Sequence, residues 1–156
     1  MQVVKDILKE NAKITIVIGG PARPDARNPF SFTERERMIR LSLHSEGISK
    51  ADYRIFKISD VNDDAAWNAK IKRLGKFDVA YSRNLWVIRC LKKIGVTTRK
   101  HKFYERYKNC GREIRKRIIA EKTWQHLLPA KVFEYMRKIN GEERIRKGMR
   151  QRPVNY

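Results

Sequence analysis

Cys110-Gly111-Arg112-Glu113-Ile114-Arg115 sets a glycine at a loop-to-helix junction and two arginines in the helical turn that follows. A helix N-terminus presents unpaired backbone N–H groups and a partial positive charge, so anions bind there. Arginines in that turn run against the usual preference for acidic residues. The misfit is relieved when an anion lies between them. The segment therefore reads as half of a phosphate site, with a solvated basic helix as the plain alternative.

The bulk properties agree with an anionic ligand. Lys and Arg number 37 against 17 Asp and Glu in 156 residues, a formal charge of +20. Such an excess favours nucleotides, nucleic acid or a membrane surface as partners. There is no RNP-like aromatic motif, zinc finger or basic region with heptads, so nucleic-acid binding is not the expected main role. Cys90 and Cys110 form no CxxC pair, and His44, His101 and His126 share no metal-ligand spacing. No apolar run has membrane-spanning length and no signal-peptide pattern is present, so a cytoplasmic chain is expected.

The elements that would carry these residues alternate. Val3, Val4, Ile7 and Leu8 make one face of a short helix. Residues 13–18 are a β-branched run closed by Gly19-Gly20, which reads as a buried strand. Pro21, Pro24, Asp25, Asn28 and Pro29 mark a loop. Ser31 and Glu34 fit a capping box opening a helix with Met38, Ile39 and Leu43 inward, ended by Gly47. Strands are expected at 53–58, 78–82 and, more weakly, 96–99. Helices are expected at 65–74 and at 85–94, the latter closed by Gly95. From Gly111 onward only helices follow, broken at Pro129 and Gly141, with a loose basic tail over 149–156. The alternation predicts an α/β fold, a parallel sheet with helices on both faces and a helical C-terminal part. Ligands of such sheets bind beyond the carboxyl ends of the strands, which makes the loops 19–29, 59–64 and 82–84 the site candidates. One element is missing: the chain opens on a crossover helix without the strand that should feed it, normally a central one.

Arg27-Asn28-Pro29-Phe30-Ser31-Phe32-Thr33-Glu34-Arg35 is specific enough to recognise. It resembles the Arg/Lys-Asn/Asp-Pro-Phe-Thr stretch, then Glu-Arg, of the archaeal-type nicotinamide-nucleotide adenylyltransferases of the HxGH nucleotidyltransferase superfamily. Gly19-Gly20 resembles the family's Gly-Ser turn. Asp60 and Trp67 resemble an Asp and a Trp spaced seven apart. Residues 77–84, Phe-Asp-Val-Ala-Tyr-Ser-Arg-Asn, resemble Phe-Asp-Val-Val-Tyr-Ser-Gly-Asn. Residues 110–115 resemble Ser-Gly-Thr-Glu-Ile-Arg, the family's second phosphate motif, and Asn140-Gly141-Glu142-Glu143-Arg144 also fits. The resemblance is collinear over nearly the whole chain.

The family's opening strand and its Gly-Arg-x-Gln-Pro-Phe-His-x-Gly-His signature do not occur, and Met1 stands where the residue after the second His would be. The expectation is one upstream piece lost to a late start or a clipped chain, so that residues 1–148 form an N-terminally incomplete nucleotidyltransferase domain. The alternative is a gene that has lost its 5′ end. The chain from Met1 alone is expected to be inactive and poorly folded.

The resemblance implies a Rossmann-like nucleotidyltransferase fold and adenylyl transfer from ATP to nicotinamide mononucleotide, giving NAD and pyrophosphate, with Mg2+ carried by ATP and a homo-oligomeric state. It implies that Arg115 is the catalytic grip on the ATP phosphates. Gly19, Gly20, Ser82, Asn84, Cys110, Gly111 and Arg112 would complete the ATP site. Arg27 would meet the mononucleotide phosphate, Asp60 the nicotinamide amide, and Trp67 would stack on the ring. Asn28 reads as a turn residue and Glu34 as a cap partner. Cys110 and Arg112 replace two hydroxyl residues of the motif, Arg83 replaces a Gly, Ala22 a frequent Gln and Asp64 a frequent Asn. Another adenylyl- or cytidylyltransferase of the superfamily and an inactive nucleotide- or RNA-binding remnant are the competing readings.

Overall fold

The computed structural model describes residues 1–26, 28–61, 63–102, 104 and 110–150. In chain order its elements are α1 (Gln2–Glu10), β1 (Ile14–Gly20), α2 (Phe32–Ser45), β2 (Tyr53–Ser59), α3 (Asp64–Lys72), β3 (Val79–Tyr81), α4 (Leu85–Lys93), β4 (Thr97–Arg99), α5 (Gly111–Ile119), α6 (Ala130–Lys138) and α7 (Gly141–Arg150). Helices α2, α3 and α4 each start where a polar side chain satisfies the first free amides. The capping box of α2 is complete: Ser31 Oγ accepts from Glu34 N at 3.2 Å, and Glu34 Oε2 accepts from Ser31 N at 2.7 Å. Asp63 caps α3 by accepting from Ala66 N at 2.6 Å. Gly47 and Gly95, both with positive φ, follow α2 and α4 as expected.

Both strand pairings are parallel. β1 lies beside β2 from Ile14 opposite Tyr53 to Gly20 opposite Ser59, and β3 beside β4 from Val79 opposite Thr97 to Tyr81 opposite Arg99. The α/β class is thus as expected, but the ladder is divided into two two-stranded sheets. β1 is also less buried than its composition suggests. Ile18 is 6 % exposed, yet Val17 on the opposite face is 40 % exposed. The residues opposite Val17 and Gly19 on β2 are Phe56 and Ile58. The core over that face forms on Ile58, with Trp67 and Ile71 of α3 and Cys90 and Leu91 of α4, rather than over Val17.

A second core joins α5, α6 and α7 through Ile114, Ile118, Trp124, Met136 and Ile145, and takes in Phe30 and Met38 from the first half. Ile118 and Leu43 are fully buried, each stabilising the fold by about 1.5–3 kcal/mol. Pro129 precedes α6 as expected. The break before α7 is made by Asn140, with φ +51°, and not by Gly141. Gly141 is the first residue of α7, where a Cβ would come within 2.9 Å of Met136 Sδ. Helix α7 continues to Arg150, into the expected tail, whose remainder, 151–156, lies outside the described residues.

Candidate functional site

The carboxyl ends of β1 and β2 are each held by a cation from a helix. Gly20 ends β1 with φ +141°, and its carbonyl accepts from Asp60 N at 2.8 Å. Arg35, in the first turn of α2, donates from Nη1 to Gly19 O at 2.7 Å and lies over the Phe32 ring, 4.6 Å from its centroid. A Cβ on Gly20 would stand 2.9 Å from both terminal nitrogens of Arg35, so only glycine leaves room for the guanidinium. Burial lowers the Arg35 pKa, and the Asp60 charge opposes that shift. On the neighbouring strand, Lys70 Nζ donates to Ser59 O at 3.2 Å and to Ser59 Oγ at 3.0 Å. Gly19, Gly20 and Asp60 are therefore one local group, as their positions in the loops suggested.

Trp67 sits lower, in the core. It is 6 % exposed and meets Trp86 edge to face at 5.1 Å between centroids. Trp86 Nε1 donates to Asp64 Oδ1 at 2.8 Å, and Asp64 Oδ2 pairs with Lys93 at 2.8 Å and Arg89 at 3.4 Å. These partners, Lys93 foremost and then Trp86, hold the Asp64 carboxyl down to about 2. Asp64 thus accepts from three donors. Burial, and after it the Asp64 carboxylate, pushes the Cys90 thiol up.

Ser82 and Asn84 meet in the turn before α4. Asn84 Oδ1 accepts from Trp86 N at 3.0 Å and Val87 N at 3.4 Å, and Ser82 Oγ accepts from Asn84 N at 3.2 Å. Arg83 donates to His101 O at 2.9 Å, so its side chain is directed to the loop beyond β4.

The start of α5 has the form the sequence suggested. Cys110 is the N-cap and its side chain makes no cap hydrogen bond. Arg115 Nη1 lies 3.4 Å from the point where a Cβ on Gly111 would stand, so the guanidinium folds back over the first turn of its own helix. Arg112 is exposed on that turn. Ile114 and Ile118 anchor the other face of α5 in the second core.

Arg27 lies outside the described residues, but the loop on either side of it is well tied. Asn28 N donates to Asp25 Oδ1 at 2.6 Å, the turn role expected of Asn28. Arg144 of α7 forks onto Glu34, with Nη1 to Oε1 at 2.6 Å and Nη2 to Oε2 at 3.0 Å, and Nη2 also donates to Pro29 O at 2.5 Å. Its guanidinium stands 5.3 Å from the Phe30 ring centroid. Arg144, ahead of the Ser31 backbone and hydroxyl, lowers the Glu34 carboxyl to about 2. Gly148 lets α7 approach the Ala26 backbone, where a Cβ would come within 3.3 Å of Ala26 Cα. Sequence reasoning gave Glu34 only its cap and assigned nothing to Arg35, Lys70 or Arg144. The available signal was Glu34-Arg35 in the turn that follows the Ser31 cap, since the first turn of a helix that follows a strand-end loop points back at that strand end.

No family model matches the chain. It is 35% identical over 149 residues to the nicotinamide-nucleotide adenylyltransferase of Methanococcus aeolicus, covering 94% of this chain and 85% of that protein. The enzyme of the same name from Thermoplasma volcanium is 34% identical over 94% of this chain and 82% of its own length. That from Methanolobus tindarius is 31% identical over 92% and 82%. Among solved structures, a bifunctional NMN adenylyltransferase/ADP ribose pyrophosphatase from Francisella tularensis, complexed with AMP and a manganese ion, superposes with a TM-score of 0.78 at 17% identity. The match takes in 96% of this chain and 47% of that one, so the chain spans about half the solved protein, and the likeness is one of fold.

Proposed function

The chain belongs to the nicotinamide-nucleotide adenylyltransferase family, and from that premise we propose that it transfers the adenylyl group of ATP to nicotinamide mononucleotide, forming NAD and pyrophosphate. A 5′-phosphate oxygen of the mononucleotide attacks the α-phosphorus of ATP. The bond from that phosphorus to the bridging oxygen breaks, and pyrophosphate leaves. No enzyme nucleophile is required. The work of the protein is to hold two polyanions in line and to neutralise the charge that builds on the leaving group.

The observation that carries this reading is the start of α5, where Cys110 gives no side-chain cap and a guanidinium folds back from Arg115 over the first turn. That arrangement suits the phosphates of ATP, with Gly111 and Cys110 contributing backbone N–H groups and Arg112 a second charge. Gly19 and Gly20 permit close approach of a nucleotide to the strand end. Ser82 and Asn84 are assigned to the rim of the adenosine pocket through the turn they build. Arg27 is assigned to the mononucleotide phosphate and Asp60 to the nicotinamide amide. Trp67 is assigned to the nicotinamide ring through the small part of its surface left open. Among the described residues no group of three or more His, Cys, Asp or Glu could hold a metal ion. Mg2+ is proposed to enter with the nucleotide as Mg–ATP.

The test is turnover of ATP and nicotinamide mononucleotide, read by NAD formation in a dehydrogenase-coupled assay and by pyrophosphate release. Arg115→Ala should lower kcat/KM by about 10²–10³, the cost of removing one preorganised donor. Release of pyrophosphate only with phosphopantetheine or FMN as acceptor would overturn the substrate assignment. Steeply salt-sensitive RNA binding without any ATP-dependent product would overturn the enzymatic one.

A further inference from the structure

Arg35 has no role in the reading above, yet it occupies the point where β1 and β2 part. We propose that Arg35 is a positioning residue for the mononucleotide subsite: lodged against the Gly20 backbone, its guanidinium fixes the end of β1 and, through the hydrogen bond between Gly20 and Asp60, the placement of Asp60.

Three observations carry this. Arg35 Nη1 takes the carbonyl of Gly19 at 2.7 Å, and the next carbonyl along, that of Gly20, takes the amide of Asp60 at 2.8 Å. The side chain and the two backbone segments are thus linked through consecutive peptide groups. Second, the guanidinium fills the space a side chain at residue 20 would need, with both terminal nitrogens 2.9 Å from the position of a Cβ. Third, Arg35 Nε is buried without a hydrogen-bond partner among the described residues. An orphaned buried donor is costly, and such groups concentrate where strain serves a site. Lys70, which clamps the end of β2 through Ser59, is the contrasting case, because its ammonium has two acceptors there.

The proposal rests on the adenylyltransferase reading, and the experiment separates the two. The full chain is titrated calorimetrically with nicotinamide mononucleotide and, separately, with ATP, and its melting temperature is recorded. Charge-assisted hydrogen bonds of this kind correspond to about 10- to 100-fold in affinity. Arg35→Met should therefore weaken mononucleotide binding at least about 10-fold and ATP binding by less than about 3-fold. Arg35→Lys should recover the melting temperature without recovering mononucleotide affinity, because an ammonium lacks the planar fork. Gly20→Ala should weaken mononucleotide binding as Arg35→Met does, and the double variant should lose little more than either single one. Unchanged mononucleotide affinity in Arg35→Met overturns the proposal. So do losses of both ligands in proportion to unfolded protein, or additive losses in the double variant. Wild-type protein that binds neither nucleotide refutes the adenylyltransferase reading itself, and this inference falls with it.

Discussion

Replacing Arg144 by Met should loosen the loop that carries Arg27 and change how the protein responds to acid. Arg144 makes three hydrogen bonds with its two terminal nitrogens, two to Glu34 and one to Pro29 O. Its side chain is 32% exposed and that of Glu34 20%. The Glu34 carboxyl falls from an ordinary value of 4.5 to about 2 in the folded chain, a displacement worth about 3 kcal/mol if none of it were screened. Partial exposure reduces this, and the loss expected for Arg144→Met at pH 7 is about 2 kcal/mol. In a domain of this size that is a fall of roughly 4–8 °C in Tm. The sign with pH follows from the direction of the shift. A carboxyl depressed on folding contributes its stability above its unfolded value, and that contribution is lost as pH falls from about 4.5 toward about 2. Urea melts of wild type, Arg144→Met, Glu34→Gln and the double variant at pH 7 and pH 3 make the measurement. The stability gap between wild type and Arg144→Met should narrow at pH 3, and the cycle at pH 7 should give a coupling of about 1–2 kcal/mol. A gap below about 0.5 kcal/mol at pH 7, or a gap unchanged at pH 3, would refute the reasoning.

Two other changes are as direct. Trp67→Phe keeps an aromatic ring against Trp86 but removes the indole, so Tm should fall by only a few degrees while mononucleotide affinity drops; equal losses for ATP and mononucleotide would make Trp67 a packing residue alone. Cys110 is partly exposed, whereas Cys90 is fully buried and its thiol is raised. An aromatic disulfide reagent should therefore modify one thiol per chain rapidly and the second only on unfolding, and two fast equivalents would contradict the packing of α4.

Much of the architecture was legible because it is written in local chemistry. Ser31 and Glu34 name their helix start whatever lies beyond it, and the β-branched run at 13–18 leaves few alternatives to a strand. What escaped is non-local. Nothing near Asn140 announces that it, rather than Gly141, takes the left-handed conformation; the glycine is demanded by Met136, which lies across the α6–α7 turn. The division into two ladders is a matter of pairing, which periodicity does not encode. In the candidate site, glycines and caps were readable from spacing. Arg35 and Arg144 were not, because each acts on a backbone carbonyl 16 and 115 residues away, and an arginine in a basic chain carries no mark of the carbonyl it will find.

The divided ladder also bears on how the protein behaves in bulk. Among the described residues β1 bonds only β2, and β3 only β4, so each two-stranded sheet has edges with no strand beside them among those residues. Such edges template the addition of strands from other molecules. A net charge of +20 opposes that encounter, but only over the reach of the field, which shrinks from about 10 Å in 0.1 M salt to about 3 Å in 1 M. The protein should therefore remain clear and monodisperse in dilute buffer and become turbid, with cross-β signal, as salt is raised, which is the reverse of ordinary salting-in.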